Sequence, residues 1–271
     1  MVYSDIRREL HERTITIHNL DDGLKTFILG LGFKVLLANR VGTLWNEVCT
    51  IGFESISTPL AWLGSLAYSM QLYFDFCGYS LMAIGLGKML GFTIPENFHH
   101  PYLSRSVTDF WRRWHITLGA WFREYVYIPL GGNRKGRIRT IVNLGIVWLL
   151  TGFWHGAAWN FILWGVFIFL LEILEKNLLL PVLNHKSIAA HIFSHIYMIL
   201  YILVSWTIFA ISDFNQLAMY LARMFPFFGM GHTLNPYDFV KYLTDYGALL
   251  ICCILFLSLI HISEPTRLAL I

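Results

Sequence analysis

Charged residues are scarce in this sequence of 271 residues. Asp, Glu, Lys and Arg make up 14% of it, against about 25% in a typical soluble domain, and apolar residues make up 56%. This composition excludes an ordinary soluble domain and predicts an integral membrane protein. The sequence also lacks the alternating segments of about ten residues that barrel strands need. We therefore predict an all-α fold, a polytopic bundle of transmembrane helices with re-entrant or interfacial helices.

Cysteine is rare as well, with four residues, of which Cys77, Cys252 and Cys253 lie in apolar runs. This pattern argues against a disulfide framework or a zinc site. His191 and His195 have the i, i+4 spacing of metal ligands on one helical face. No carboxylate or cysteine accompanies them in their run, so we predict no metal site.

One long run is free of Asp, Glu, Lys and Arg, the thirty-two residues from Thr140 to Leu171. A single helix of that length would measure roughly 48 Å, against a hydrocarbon core of about 30 Å. We therefore predict a break, at Thr151–Gly156. The run holds one ionisable residue, His155. Placing an imidazole at membrane depth costs free energy, so His155 indicates a functional site. The alternative is a structural histidine whose hydrogen bonds are made by a neighbouring helix.

Other apolar runs predict further helices. Ser55–Gly87 carries one charge, Asp75, and is longer than a single membrane crossing needs. We therefore expect two helices joined at Phe76–Gly78. Asp75 has either a structural role or that of a buried functional acid. Ser187–Ser212 predicts one tilted span.

The two ends of the sequence give weaker signals. Gly23–Val48 contains four charges and predicts an amphipathic helix at the membrane interface or tilted against the bundle. Gly229–Asp245 predicts a loop, and Gly247–Ile262 a last short span.

Basic residues concentrate in one segment, where eight lie between Arg105 and Arg139 with only Asp109 and Glu124 opposing them. Nucleic-acid binding is a poor interpretation because membrane segments flank the cluster. The turn Gly131–Arg139, GGNRKGRIR, should face the cytoplasm by the positive-inside rule. The turn either sets the membrane topology or binds the phosphates of the donor.

Aromatic residues and arginines alternate between Tyr102 and Gly132, where Ser106 or Thr108 can cap a helix. The mixture is too charged to face lipid and too aromatic for a free loop. We predict re-entrant backbone, or backbone buried in the bundle, because protein or water must then form hydrogen bonds with its N–H and C=O groups. His115 lies in its middle.

Four motifs together resemble the membrane-bound O-acyltransferase family, and most closely its bacterial branch of alginate O-acetyltransferases and teichoic acid D-alanyl transfer proteins. They are FDFCGYSLMAIGLGKMLGF, NF..PY, SVTDFWRRWHITLGAWFREYVYIPLGGNRKG and LTGFWHGAAWNFILWG. The ordered pair RRWHITL and FWHG, with the basic turn between, is the most specific part. The resemblance identifies His155 with the essential histidine of the family and His115 with the second histidine of this branch.

The resemblance also carries expectations about domains, because it is good over roughly residues 10–176. It implies that 1–271 is a single, partial membrane domain of a longer protein. Within it, 1–22 is a polar lead-in, 102–176 the catalytic core, and 263–271 a tail unlike the family. The implied location is the bacterial inner membrane, with multiple passes.

The resemblance finally implies acyl transfer, most simply acetyl, from a thioester to hydroxyls of an exported polysaccharide through a tunnel in the bundle. We predict His155 as general base, kept neutral by burial, and His115 as the group that orients the donor or stabilises the oxyanion. Donor phosphates would be steered by four cations: Arg112, Arg113, Arg134 and Lys135.

No cofactor is expected to be bound. The acyl donor, acetyl-CoA or a carrier protein, is a substrate that arrives at the cytoplasmic face. The expected partners are the lipid bilayer and a periplasmic acetyltransferase, with no nucleic acid. Two alternatives stay open: a transporter with His155 and Asp75 as a proton relay, and an inactive structural piece of the acyltransferase.

Overall fold

The structure, a computed structural model, describes residues 2–228 and 235–259. The helices of this part are, in chain order, α1 (Tyr3–Ile6), α2 (Glu9–Glu12), α3 (Ile17–Gly32), α4 (Asn39–Ile51), α5 (Thr58–Met89), α6 (Val107–Arg113), α7 (Ile116–Phe122), α8 (Arg137–His155), α9 (Trp159–Leu174), α10 (Leu180–Leu183), α11 (Ile188–Ala210), α12 (Phe214–Met224) and α13 (Asp238–Leu259). Single π-helical turns occupy Phe33–Ala38, Arg123–Tyr127 and Glu175–Leu179. The fold is all-α, as predicted, and the tail 263–271 lies outside the described residues.

In residues 2–228 and 235–259, three helical stretches are long and apolar enough to cross a membrane: Ile17–Ile51, Ile188–Ala210 and Asp238–Leu257. The protein is therefore a multi-pass membrane protein, as its composition predicts. The span expected at Ser187–Ser212 is confirmed within two residues by α11. The first stretch joins α3 and α4 through a π-turn, so its length favours a span over the predicted interfacial helix. It begins at Ile17, inside the segment expected to be a polar lead-in.

The predicted junction at Phe76–Gly78 is wrong, because α5 runs unbroken from Thr58 to Met89. Its glycines serve close helix packing instead. A Cβ placed on Gly30 of α3 would lie 2.5 Å from the carbonyl oxygen of Gly78, and one on Gly85 would lie 2.6 Å from that of Gly23. Small residues at such crossings let two backbones touch.

The predicted loop Gly229–Asp245 is also wrong over its second half, because α13 begins at Asp238. The Asp238 carboxylate accepts a hydrogen bond from the Ser57 amide (2.9 Å) and another from the Ser57 hydroxyl. An acid in the first turn also suits the helix dipole. A contact to a residue far away in sequence thus fixes this helix start.

The chain forms two compact units. Unit 1 contains residues 1–31 and 77–201, and unit 2 contains residues 32–76 and 202–271. Unit 2 has a core around Tyr220, which is fully buried and donates a hydrogen bond to the Ala61 carbonyl at 2.7 Å. Unit 1 holds α6–α10 and therefore both candidate histidines.

Candidate active site

The tight hairpin of α8 and α9 determines where His155 lies. A Cβ on Gly152 would come within 2.4 Å of the Phe161 carbonyl oxygen, and one on Gly165 within 2.5 Å of the Trp148 carbonyl oxygen. The two helix backbones are therefore in contact. The predicted break is confirmed, and it starts at Gly156. The backbone φ angle of Gly156 is 151°, a value that residues with a side chain rarely adopt. His155 is the last residue of α8, directly before this turn.

Aromatic rings surround the His155 imidazole, which is partly buried. Its ring centroid lies 5.2 Å from that of Trp164, 4.9 Å from Trp154 and 6.1 Å from Phe161. Trp164 is almost fully buried, whereas Trp154 is 56% exposed. The partly buried imidazole therefore packs against one buried ring, that of Trp164, and one exposed ring, that of Trp154.

His115 occupies an unusual backbone position. It precedes α7 with φ 49° and ψ 50°, in the left-handed region, which is uncommon for residues other than glycine. Backbone bonds hold it there: the His99 amide donates to the Arg113 carbonyl (2.9 Å) and the Ile116 amide to the Asn97 carbonyl (3.0 Å). A short antiparallel pairing therefore fixes the loop on both sides of His115.

Asn97 determines the tautomer of His115. The Asn97 side-chain oxygen accepts hydrogen bonds from the Thr117 amide (3.2 Å) and hydroxyl (3.0 Å), and lies 3.1 Å from Nδ1 of His115. The Thr117 amide can only donate, so the oxygen of Asn97 is correctly oriented towards both residues. Nδ1 of a neutral His115 therefore carries the proton and donates to Asn97, which leaves a lone pair on Nε2.

The two histidines share one neighbour, the indole of Trp154. Its centroid is 5.9 Å from the His115 ring and 4.9 Å from the His155 ring. Forty residues separate the two histidines in sequence, and the fold of unit 1 brings their rings to the same indole. The two imidazoles therefore lie next to the same side chain.

Helix α6, which leads to His115, is held at its N-terminus. Ser106 caps it, as predicted, by accepting a hydrogen bond from the Asp109 amide at 3.0 Å. The fully buried Glu175 adds three bonds, from the Val107 amide (2.7 Å), the Thr108 amide (3.1 Å) and the Thr108 hydroxyl (3.2 Å). Burial raises the pKa of the Glu175 carboxyl, and these bonds oppose the shift.

The four cations predicted to bind donor phosphates lie on two separate elements. Arg112 and Arg113 are on α6, where Arg113 pairs with Asp109 at 2.9 Å. Arg134 and Lys135 are on the turn before α8. The nineteen residues of α8 place that turn about 27 Å along the helix from His155. Arg134 and Lys135 therefore lie far from the reacting atoms.

Three further residues singled out in the sequence, Asp75, His191 and His195, lie elsewhere. Asp75 forms an ion pair with Lys34 in unit 2, which accords with a structural role. His191 and His195 lie on the exposed face of α11. Within residues 2–228 and 235–259, no group of three or more His, Cys, Asp or Glu side chains is arranged to hold a metal ion.

Sequence reasoning missed Asn97 and Glu175. Asn97 belongs to the NF..PY motif, so its presence there was the available signal. Its contact with His115 spans eighteen residues, and that of Glu175 with Val107 spans sixty-eight. Each contact joins residues of different elements, so no helical or strand spacing rule reveals it.

Comparison with known proteins decides the family. Residues 50–180 match the sequence model of the membrane-bound O-acyltransferase family, a range that includes both histidines and their aromatic neighbours. The chain belongs to this family.

Relatives in the family carry three different names. Over 225 residues the chain is 40% identical to a probable alginate O-acetylase of Pseudomonas putida, covering 83% of this chain and 45% of that protein. Over 162 residues it is 44% identical to a peptidoglycan O-acetyltransferase of Helicobacter pylori, covering 59% and 30%. Over 153 residues it is 32% identical to a teichoic acid D-alanyltransferase of Bacillus subtilis, covering 54% and 38%.

These relatives confirm the predicted branch of the membrane-bound O-acyltransferase family and a multi-pass inner-membrane location. The chain spans less than half the length of each of them.

Proposed function

We propose that this chain carries the catalytic centre of a membrane O-acyltransferase that moves acetyl groups from a thioester donor toward the hydroxyls of an exported cell-surface polysaccharide. The observation that carries the proposal is the placement of the His115 and His155 rings next to the same indole, that of Trp154. Membership of the family and the names of the relatives support the same reaction class.

In the proposed reaction His155 acts as the general base. It takes the proton of the acceptor hydroxyl while the oxygen attacks the thioester carbonyl carbon. The tetrahedral intermediate collapses, the carbon–sulfur bond breaks, and the proton on His155 passes to the leaving thiolate. The products are an acetyl ester and a free thiol. A base of this kind contributes roughly 10²–10⁴ in rate.

His115 has a distinct role in this proposal. Because its Nδ1–H is directed to Asn97, Nε2 of a neutral His115 can accept a hydrogen bond but cannot donate one. A lone pair accepts hydrogen bonds and cannot stabilise an oxyanion. Of the two roles left open by the sequence, the geometry therefore supports orientation of a substrate N–H or O–H group.

The substrates and partners belong to the proposal as well. The donor is acetyl-CoA or an acylated carrier protein at the cytoplasmic face, with Arg112 and Arg113 as the cations on the same helix segment as His115. A periplasmic acetyltransferase completes the transfer to the polymer. Alginate is the leading acceptor, since the relatives that match most of this chain are named alginate O-acetylases.

The test uses the complete protein that contains this segment, with His155→Ala in its own cell. We expect acetyl ester on the exported polysaccharide to fall at least 100-fold, because the base is lost. The matched control is His191→Ala, an exposed histidine on α11 in the same unit, which should leave acetylation unchanged. Undiminished acetylation by the His155→Ala protein, at a normal level in the membrane, would contradict the proposal.

A further inference from the structure

A cavity of unit 1 lies at the opposite end of the α8–α9 hairpin from His155. Its volume is about 300 Å³, at the lower end of the range of roughly 300–1,000 Å³ for ligand pockets. It lies where the basic turn enters α8 and where α9 ends. Nine residues line it: Asn133, Gly136, Arg137, Thr140, Ile141, Leu144, Ile173, Lys176 and Asn177.

The lining divides into two chemical parts. Arg137 and Lys176 contribute cations, and Asn133, Thr140 and Asn177 contribute hydrogen-bonding groups. Arg137 already donates to the Asn177 side-chain oxygen, which orients its guanidinium at the cavity. The remaining wall consists of Ile141, Leu144 and Ile173. A ligand that suits this cavity has an anionic group and an apolar part next to it.

The charge of the surroundings is strongly one-sided. No acidic residue occurs between Glu124 and Glu172, and four cations lie in that interval: Arg134, Lys135, Arg137 and Arg139. Lys176 is balanced by Glu172, whose carboxylate lies 3.0 Å from its ammonium group. The first turn of α8 also contains no acidic residue, so the positive end of its dipole adds to the field. The cavity therefore attracts an anion.

The position of the cavity excludes a role at the reacting atoms. It lies beside the first two turns of α8, where Leu144, the lining residue nearest to His155 along the helix, is eleven residues or about 16 Å from it. The adjoining face of the hairpin is apolar and exposed, including Ile138, Val142 and Leu174. A basic cavity that borders an exposed apolar helix face, at the end of α8 that the positive-inside rule places on the cytoplasmic side, has the chemistry of a phospholipid site.

We propose that this cavity binds the headgroup of an anionic phospholipid. The lipid phosphate contacts Arg137 and Lys176, the polar part of the headgroup bonds to Asn133 and Thr140, and the acyl chains begin against Ile141, Leu144 and Ile173. This inference goes beyond the proposed acyl transfer and is independent of it.

The experiment uses the full-length protein in nanodiscs of defined composition, with bound lipid measured by native mass spectrometry. We expect phosphatidylglycerol to be retained over phosphatidylcholine. The double variant Arg137→Gln, Lys176→Gln should bind phosphatidylglycerol about ten- to thirty-fold more weakly, because each cation near an anionic headgroup contributes about a factor of five. The variant Arg137→Lys, which keeps the positive charge, should still bind phosphatidylglycerol.

Two control variants distinguish binding of a lipid in this cavity from general attraction of anions to a basic surface. Lys186→Gln removes a cation of unit 1 that does not line this cavity and should leave retention unchanged. Leu144→Ala should weaken phosphatidylglycerol binding and leave competition by inorganic phosphate unaffected, because only a lipid uses the apolar wall. Melting temperatures in phosphatidylcholine nanodiscs report whether each variant is folded.

Three results would overturn the proposal. They are equal retention of the two lipids by the wild-type protein, unchanged retention by a folded double variant, and displacement of phosphatidylglycerol by millimolar acetyl-CoA, which would assign the cavity to the donor. All three readouts concern binding alone. A failure here is therefore distinguishable from a failure of the His155→Ala test.

Discussion

At the scale of single residues, the informative feature is that the two histidines next to Trp154 are held in different ways. His155 belongs to a helix end on an aromatic wall, and His115 belongs to a strained loop whose conformation is held by backbone bonds. A left-handed conformation at a non-glycine residue costs of order 1–3 kcal/mol. The contacts of Asn97 with Thr117 and His115 stabilise this conformation and select one tautomer at the same time.

Replacing Asn97 tests this role. In Asn97→Leu the side chain has a similar size but no acceptor, so Nδ1 of His115 loses its partner and the tautomer is no longer fixed. We expect kcat for acetyl transfer to fall about 10- to 100-fold, as is usual when the partner of a functional histidine is removed. The measurement is steady-state transfer by the full-length protein in membranes.

Asn97→Asp provides the matched control, because it keeps an oxygen at the position that faces His115. It should retain more of kcat than Asn97→Leu at equal protein level. If both variants lose activity equally, Asn97 acts through the loop fold and not through the tautomer.

At the scale of elements, the hairpin of α8 and α9 is built on backbone contact. Gly152 and Gly165 each face a carbonyl oxygen of the other helix, with no space for a methyl group. This contact fixes the position of His155 on α8 relative to Trp164 on α9, one of the rings against which the imidazole packs. The hairpin geometry therefore determines the position of the His155 imidazole.

Gly152→Ala and Gly165→Ala should each destabilise the protein. The new Cβ would lie 2.4–2.5 Å from a backbone oxygen, so the helices must separate, and overpacking of this kind costs typically 1–3 kcal/mol. The measurement is the thermal unfolding midpoint in detergent. Gly119→Ala on α7 is the control, since its Cβ would have its nearest neighbour at 3.9 Å. Equal midpoints for all three variants would refute the role of backbone contact in the hairpin.

At the scale of the whole molecule, charge determines orientation in the membrane. The turn between Gly131 and Arg139 is rich in cations, and acidic residues are absent from 125–171. Cytoplasmic loops are enriched in Lys and Arg, so this turn should stay on the cytoplasmic side and the other end of α8 should enter the bilayer. This orientation places the proposed lipid site next to the inner leaflet.

Cysteine labelling measures this orientation. In a full-length background whose native cysteines are replaced by serine, Arg139→Cys should react with a membrane-impermeant maleimide in inside-out vesicles and not in intact cells. Ala157→Cys, in the turn between α8 and α9, should not react in inside-out vesicles. Labelling of Arg139→Cys in intact cells would reverse the assigned topology, and the donor would then have to approach from the other face.

Several features of the fold follow directly from local sequence. The all-α class, the span of α11, the Ser106 cap and the break next to His155 depend on composition, run length or a capping residue, which act within one or two helical turns. The wrong junction in α5 shows the limit of this reasoning. Glycines in an apolar run indicate either a break or a close crossing, and only the position of α3 distinguishes them.

The sequence by itself determined that this is a membrane protein of the O-acyltransferase family with His115 and His155 as its candidate site, because hydropathy and motifs are properties of neighbouring residues. The tertiary structure decided which groups meet. It brought both imidazoles to Trp154, fixed the His115 tautomer through Asn97, and separated the basic turn from His155 by the length of α8. Contacts across tens of residues depend on helix packing, which no local pattern encodes.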